Sequence, residues 1–136
     1  DSLGLFNETI IFPMHPRTKK NLKDFNIEIP PNIIEISPVG FIDMAMLEKH
    51  SNLIATDSGG VQKEAFFHKV PCVTLRDETE WVELIDSGWN KLAPPQEINK
   101  VLKILKSSLG RTGKNIRPYG DGNASKLIAN IFKDLF

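Results

Sequence analysis

The residues of this 136-residue chain best suited to chemistry fall in three short clusters, each directly after an apolar run: Met14-His15-Pro16-Arg17-Thr18, Thr56-Asp57-Ser58-Gly59-Gly60 and Arg76-Asp77-Glu78-Thr79-Glu80. The second is the most telling. Two glycines let the backbone approach an anion closely and the serine hydroxyl adds a hydrogen bond. A helix starting there points its free N–H groups and positive dipole end at the same spot. A diphosphate suits such a cradle. The plainer reading makes Ser58 an N-cap and the glycines a tight turn. Glu64 lies four residues past Gly60 and so projects from the same helix face. A carboxylate beside a phosphate site makes sense if it accepts from two ribose hydroxyls; a solvated helix carboxylate is the ordinary alternative.

His15 follows an apolar strand and precedes Pro16, which holds its backbone extended and lets the ring point into a crevice as donor or cation to a phosphate or sugar oxygen. A structural histidine at a strand end is the competing reading. Among the nearby cations Arg17, Lys19, Lys20 and Lys23, only Arg17 stands close to the strand end; the lysines read as a solvated face. His50 and His68 end helices, where a donor satisfies the last carbonyls. Cys72 reads as a small buried hydrophobe and not a nucleophile. Phe66, Phe67 and Trp89 read as core, while Trp81 opens a helix straight after the third cluster and is open to either reading.

The elements that must position these clusters are legible as alternating patterns. Apolar runs of strand length occur at Thr9–Pro13, Asn32–Ile36, Asn52–Thr56, Pro71–Leu75 and Trp89–Leu92. Helical spacing occupies Thr18–Phe25, Phe41–His50, Val61–His68, Glu80–Ser87, Pro95–Ser108 and Ala124–Phe136. Continuous apolar strands alternating with helices predict a doubly wound α/β domain, with a parallel sheet covered on both faces. In such a sheet ligands bind at the carboxyl ends of the strands, where all three clusters fall. No repeat or linker divides the chain, so residues 1–136 are expected to form a single domain.

Composition narrows the function classes. Seventeen basic and seventeen acidic residues give a formal net charge of zero, without the electrostatic footprint of a nucleic-acid or polybasic membrane binder. The single cysteine permits no internal disulfide, and no Cys/His spacing suggests a zinc site. A cytoplasmic location is expected. No apolar run reaches the roughly 20 residues of a membrane-spanning helix. The chain opens on Asp1 and not on methionine, from which a fragment is expected.

The run Thr56-Asp57-Ser58-Gly59-Gly60-Val61-Gln62-Lys63-Glu64-Ala65 is followed by Pro71, Arg76–Glu80 and Gly88. With His15-Pro16-Arg17-Thr18 before it and Tyr119-Gly120-Asp121-Gly122-Asn123-Ala124-Ser125 after it, the order resembles the signature of the non-hydrolysing UDP-N-acetylglucosamine 2-epimerases, over nearly the whole chain. That resemblance implies the Rossmann-like C-terminal half of a two-domain enzyme of glycosyltransferase-B type, with UDP held on this half. It assigns Ser58, Gly59 and Gly60 to the diphosphate, Glu64 to the ribose, and His15 to the phosphate or sugar side as the one catalytic candidate. Arg17, Met44 and Trp81 join the substrate-binding set.

The implied reaction is elimination of UDP and its re-addition with inversion at C2 of the sugar, without metal or nicotinamide cofactor. The groups that handle the C2 proton are implied to lie in an N-terminal half absent here, so this chain alone is expected to be inactive. A homodimeric parent enzyme and a role in cell-surface polysaccharide synthesis are also implied. Two positions depart from the commonest pattern: Trp81 stands where an arginine is usual, and Met44 where an aromatic residue is frequent. The Glu80-Trp81-Val82-Glu83 run looks more like relatives that act on modified sugars, such as a 2,3-diacetamido uronate or a 2-acetamido-6-deoxyhexose.

Two other readings share these residues. The nucleotide-binding half of a glycosyltransferase-B type UDP-sugar transferase would use the same strand, glycine loop, helix and glutamate, because fold does not decide function. A flavodoxin-like module complete in itself would have no dependence on a second domain.

Overall fold

The computed structural model describes residues 2–135, leaving Asp1 and the expected helix end at Phe136 outside the described residues. Strands and helices alternate as β1 (Ile10–Pro13), α1 (Pro16–Asp24), β2 (Ile33–Ile36), α2 (Phe41–Lys49), β3 (Ile54–Thr56), α3 (Gly59–His68), β4 (Cys72–Thr74), α4 (Val82–Asp86), β5 (Asn90–Leu92), α5 (Ile98–Ser108) and α6 (Ala124–Leu135). All pairing is parallel, with β1 against β2 and the order β3-β4-β5 in a second sheet. Register places Ile54 beside Cys72 and Cys72 beside Asn90. The edges of the two sheets line a common cleft of about 1100 Å³, walled by Ile10, Ile36, Leu47, Ile54 and Ala55 among others.

The elements start and stop where backbone chemistry demands. Pro16 occupies the first helical position of α1, where its missing N–H has no intrahelical partner to lose. The helix therefore begins two residues before the expected Thr18. α4 is shorter than the expected Glu80–Ser87, because residues 76–80 are held in a loop by the Arg76–Glu80 pair. In α5, Val101, Leu105 and Ser108 recur at helical spacing and are buried. Val101 and Leu105 meet Phe6, Val73 of β4 and Ala93 in one core cluster, while Ile54, Ala65, Val70 and Cys72 form a second beneath α3.

Burial is uneven. Ile11, Phe12 and Ile34 of the β1–β2 pair remain exposed, as do Leu127, Ile128, Ile131, Phe132 and Leu135 of α6. Phe67, read from sequence as core, is 61% exposed, and its ring packs instead on Tyr119 at 5.6 Å. Trp89 is buried as expected, and its indole N–H donates to the Lys114 carbonyl at 2.9 Å.

Candidate functional site

β3 delivers the chain into the glycine turn and α3 leaves it, so the Ser58-Gly59-Gly60 turn lies at the carboxyl end of a parallel strand and at a helix N-terminus. Ser58 takes the N-cap position, as the plainer sequence reading had it. Its side chain, however, makes no capping hydrogen bond, and its own amide donates to Thr56 Oγ1 at 3.0 Å. The first helical hydrogen bond comes from the Gln62 amide to the Ser58 carbonyl. The amides of Gly59, Gly60 and Val61 therefore have no acceptor within the helix. A β-carbon on Gly60 would meet nothing nearer than Ser58 Oγ at 3.8 Å, so the turn is open on that side.

A buried polar network fixes the turn from below. Gln62, fully buried, donates from Nε2 to the Ser58 carbonyl at 3.3 Å and accepts at Oε1 from the Thr79 hydroxyl at 2.6 Å and from Asn90 Nδ2 at 2.9 Å. Asn90 in turn bonds Thr74 across the β4–β5 pair. Thr79 Oγ1 also accepts from the Trp81 amide at 3.1 Å. One side chain thus ties the glycine turn to the third loop. The sequence reading missed this network; the signal available was a glutamine and an asparagine at apolar-facing positions.

Trp81 closes the other side of the turn. Its indole N–H donates to the Gly59 carbonyl at 2.9 Å, and Lys63 Nζ sits 4.0 Å from its ring centroid in cation–π geometry. Tyr119 packs edge-on against Trp81 at 6.2 Å and Phe66 at 5.8 Å, which brings the late Tyr119 segment onto α3. Burial first, and Glu83 second, hold the Tyr119 phenol well above its usual range, so it stays a neutral wall. Arg76 is not available to an anion in this arrangement, because its guanidinium lies along Glu80 at 3.2 and 3.3 Å. Glu80 is held below the usual carboxylate range by its own backbone amide and by Arg76.

His15 caps α1: Nδ1 accepts from the Arg17 amide at 3.2 Å. In the neutral ring that places the proton on Nε2, leaving a donor free. The ring lines the cleft together with Met44, Thr56, Asp57 and Glu48. Arg17 joins the group through its backbone, its side chain being exposed. Of the sequence candidates, then, His15 and Met44 share the cleft, Gly59 and Trp81 are in contact, and Glu64 is approached by Glu48.

Glu48 is the residue that sequence reasoning did not single out. It is 3% exposed on α2, with Oε2 3.8 Å from His68 Nε2 and Oε1 buried without a hydrogen-bond partner. Burial first, and the neighbouring Glu64 carboxylate second, push it up from 4.5 to about 7. His68 accordingly turns toward Glu48 and is not confined to the helix-end role expected of it. Cys72 is buried and its thiol is pushed up to about 12, chiefly by burial, so it is a hydrophobe and not a nucleophile. Among the described residues no cluster of three His, Cys, Asp or Glu could hold a metal, and no helix is long and apolar enough to cross a membrane.

A parallel α/β fold with a glycine turn at the carboxyl end of a strand, unpaired amides and a carboxylate one turn inside the helix is the arrangement of an open α/β domain with an anion-compatible helix N-terminus. Residues 3–133 match the family described as UDP-N-acetylglucosamine 2-epimerase, and the chain belongs to that family. It is 46% identical over 133 residues to a UDP-N-acetylglucosamine 2-epimerase homolog of Methanococcus maripaludis, which covers 95% of this chain and 37% of that protein. It is 41% identical to the UDP-2,3-diacetamido-2,3-dideoxy-D-glucuronate 2-epimerase of Pseudomonas aeruginosa, covering 93% of this chain and 35% of that protein. The crystal structure of Methanocaldococcus jannaschii UDP-GlcNAc 2-epimerase in complex with UDP-GlcNAc and UDP superposes with a TM-score of 0.84 at 40% identity, over 98% of this chain and 38% of that one. The chain thus spans little more than a third of the length of these relatives, and the Rossmann-like fold class read from sequence is the one they share.

Proposed function

We propose that residues 1–136 form the single UDP-binding, C-terminal domain of a non-hydrolysing UDP-N-acetylglucosamine 2-epimerase of glycosyltransferase-B type. The observation that carries the reading is the Ser58-Gly59-Gly60 turn: its amides at Gly59, Gly60 and Val61 have no helical acceptor, and the Ser58 hydroxyl is free of capping duty. These donors and the positive end of α3 suit the diphosphate of UDP. Glu64, one turn inside, suits the ribose diol, and the free Nε2–H of His15 suits a phosphate or sugar oxygen across the cleft. His15 is the one catalytic candidate on this chain, acting as a donor to the departing UDP.

The whole enzyme would eliminate UDP from a 2-acetamido sugar and add it back with C2 inverted. The groups that move the C2 proton would come from an N-terminal domain outside this chain. The relatives' length supports that division, since the chain covers 37% and 36% of two of them. A cytoplasmic, homodimeric parent enzyme supplying polysaccharide precursors completes the reading. Trp81 and Lys63 favour a modified sugar. The Pseudomonas relative, 41% identical, acts on a 2,3-diacetamido uronate, and here a ring carrying an ammonium stands where the commoner pattern has arginine.

Calorimetric titration of the 136-residue chain with UDP tests the reading. Binding in the millimolar range, about −4 kcal/mol, is expected without the second domain. Gly60→Val should abolish it with the fold intact, because the turn has room for a β-carbon but not for a phosphate as well. Binding by Gly60→Val equal to that of the parent chain would exclude this turn as the diphosphate site.

A further inference from the structure

We propose that Lys63 is the diphosphate-binding cation of this chain, held beside the glycine turn on a platform formed by Trp81 and Tyr119. This rests on the reading above in which the turn takes the diphosphate. Lys63 is four residues past Gly59 in α3, and helical side chains lean toward the N-terminus, so its half-buried side chain reaches back beside the turn. There its ammonium lies 4.0 Å from the Trp81 ring centroid and 5.6 Å from that of Tyr119. Trp81 is itself fixed to the turn by its bond to the Gly59 carbonyl, and a β-carbon on Gly59 would stand 3.5 Å from the indole nitrogen. Ammonium, ring and turn therefore form one continuous set of contacts.

An anion on this turn needs such a group. The unpaired amides and the dipole of α3 supply only partial charge, and carboxylates flank the turn on several sides. Asp57 precedes it, Glu64 follows it, and Glu80 Oε2 is 3.8 Å from the β-carbon position of Gly59. A diphosphate entering there meets repulsion that dipoles offset only in part. Arg76 is engaged by Glu80, and the Arg17 side chain is exposed on α1. Lys63 makes no ion pair among the described residues, so its charge is available to a ligand. The two rings also restrict the ammonium, so it has little freedom left to lose when the anion arrives.

The test is titration of the 136-residue chain with UDP, followed by amide chemical shifts, in the parent, Lys63→Met and Lys63→Arg. Lys63→Met keeps an unbranched stem against Trp81 but removes the charge, and should weaken binding about tenfold, the worth of one charge-assisted hydrogen bond. Lys63→Arg keeps a cation over the same ring and should bind within about threefold of the parent. Added salt should weaken binding by the parent and by Lys63→Arg more steeply than by Lys63→Met, a difference that a merely structural role would not produce. UDP carries no sugar, so a lysine that read only the sugar would leave the affinities of parent and Lys63→Met equal. That equality, or a loss in Lys63→Arg as large as in Lys63→Met, would overturn the role of Lys63 and leave the turn as the site. Absence of UDP binding by the parent would overturn it together with the assignment of the turn to the diphosphate.

Discussion

The indole N–H of Trp81 donates to the carbonyl oxygen of Gly59 at 2.9 Å, which ties the aromatic residue to the backbone of the glycine turn. Lys63, one helical turn past Gly59, lies over the same ring at 4.0 Å. Trp81 therefore acts as a strut for the turn and a platform for a cation. Trp81→Phe keeps a ring beneath Lys63 but deletes the donor, and should lower stability by about 1 kcal/mol. Trp81→Ala also loses the cation–π and Tyr119 contacts, and should cost about 2–3 kcal/mol. Urea denaturation of the two variants checks this ranking; equal losses would contradict it.

Gln62 joins the turn to the third loop through Ser58, Thr79 and Asn90. Gln62→Leu preserves volume but leaves the Thr79 hydroxyl and one Asn90 amide proton without their acceptor, while the Ser58 carbonyl keeps the backbone amide of residue 62. A loss of about 2–3 kcal/mol is expected. UDP affinity should fall with it, because both loops lose their common anchor. Unchanged stability by thermal melting would mean that these groups find other partners.

Gly113 is a steric requirement of the Trp89 packing: a β-carbon there would lie 2.4 Å from the indole Cδ1 and 2.6 Å from Nε1. Trp89 cannot swing aside without giving up its bond to the Lys114 carbonyl. Gly113→Ala should cost about 1–3 kcal/mol. Gly40→Ala, at the N-cap of α2 where a β-carbon meets nothing within 4 Å, escapes the clash and should cost only about 0.5–1 kcal/mol. Comparing the two melting temperatures checks the contrast.

Strands and loops were legible because parallel strands are continuous apolar runs, and every observed strand falls inside its expected range, from Ile10–Pro13 to Asn90–Leu92. The glycine turn was legible because two glycines between a strand and a helix mark a tight turn. Glu48 was not, because its burial exists only when α2 lies on α3. The available signal was a carboxylate four residues after Met44, on the face that α2 turns inward. Ser58 shows the converse. Its type and position announce a cap, yet the bond is absent, and only the fold reveals that the hydroxyl is free. Phe67 was misplaced as core because two adjacent aromatics on a helix cannot both face inward, and packing chose Phe66 as the half-buried one.

Glu48 also makes folding stability pH-dependent. Its value rises from 4.5 to about 7 in the folded chain, so between those limits the folded state binds more protons than the unfolded one. The stabilisation is fully present below about 4.5, is lost as pH rises, and is gone above about 7, a change of about 3 kcal/mol. Glu48→Gln should remove that component of the loss, as urea denaturation at pH 5 and pH 8 would show. An unchanged difference between the two pH values would contradict Glu48 being a buried carboxyl that is neutral in the folded chain.

Amide chemical shifts during titration of the 136-residue chain with UDP read most directly whether the turn between β3 and α3 holds the nucleotide. The account predicts that the signals of Ser58, Gly59, Gly60, Val61 and Glu64 move with a common millimolar midpoint while those of Ile98–Ser108 in α5 stay fixed. Shifts at Ser58–Glu64 no larger than those along α5 would contradict it.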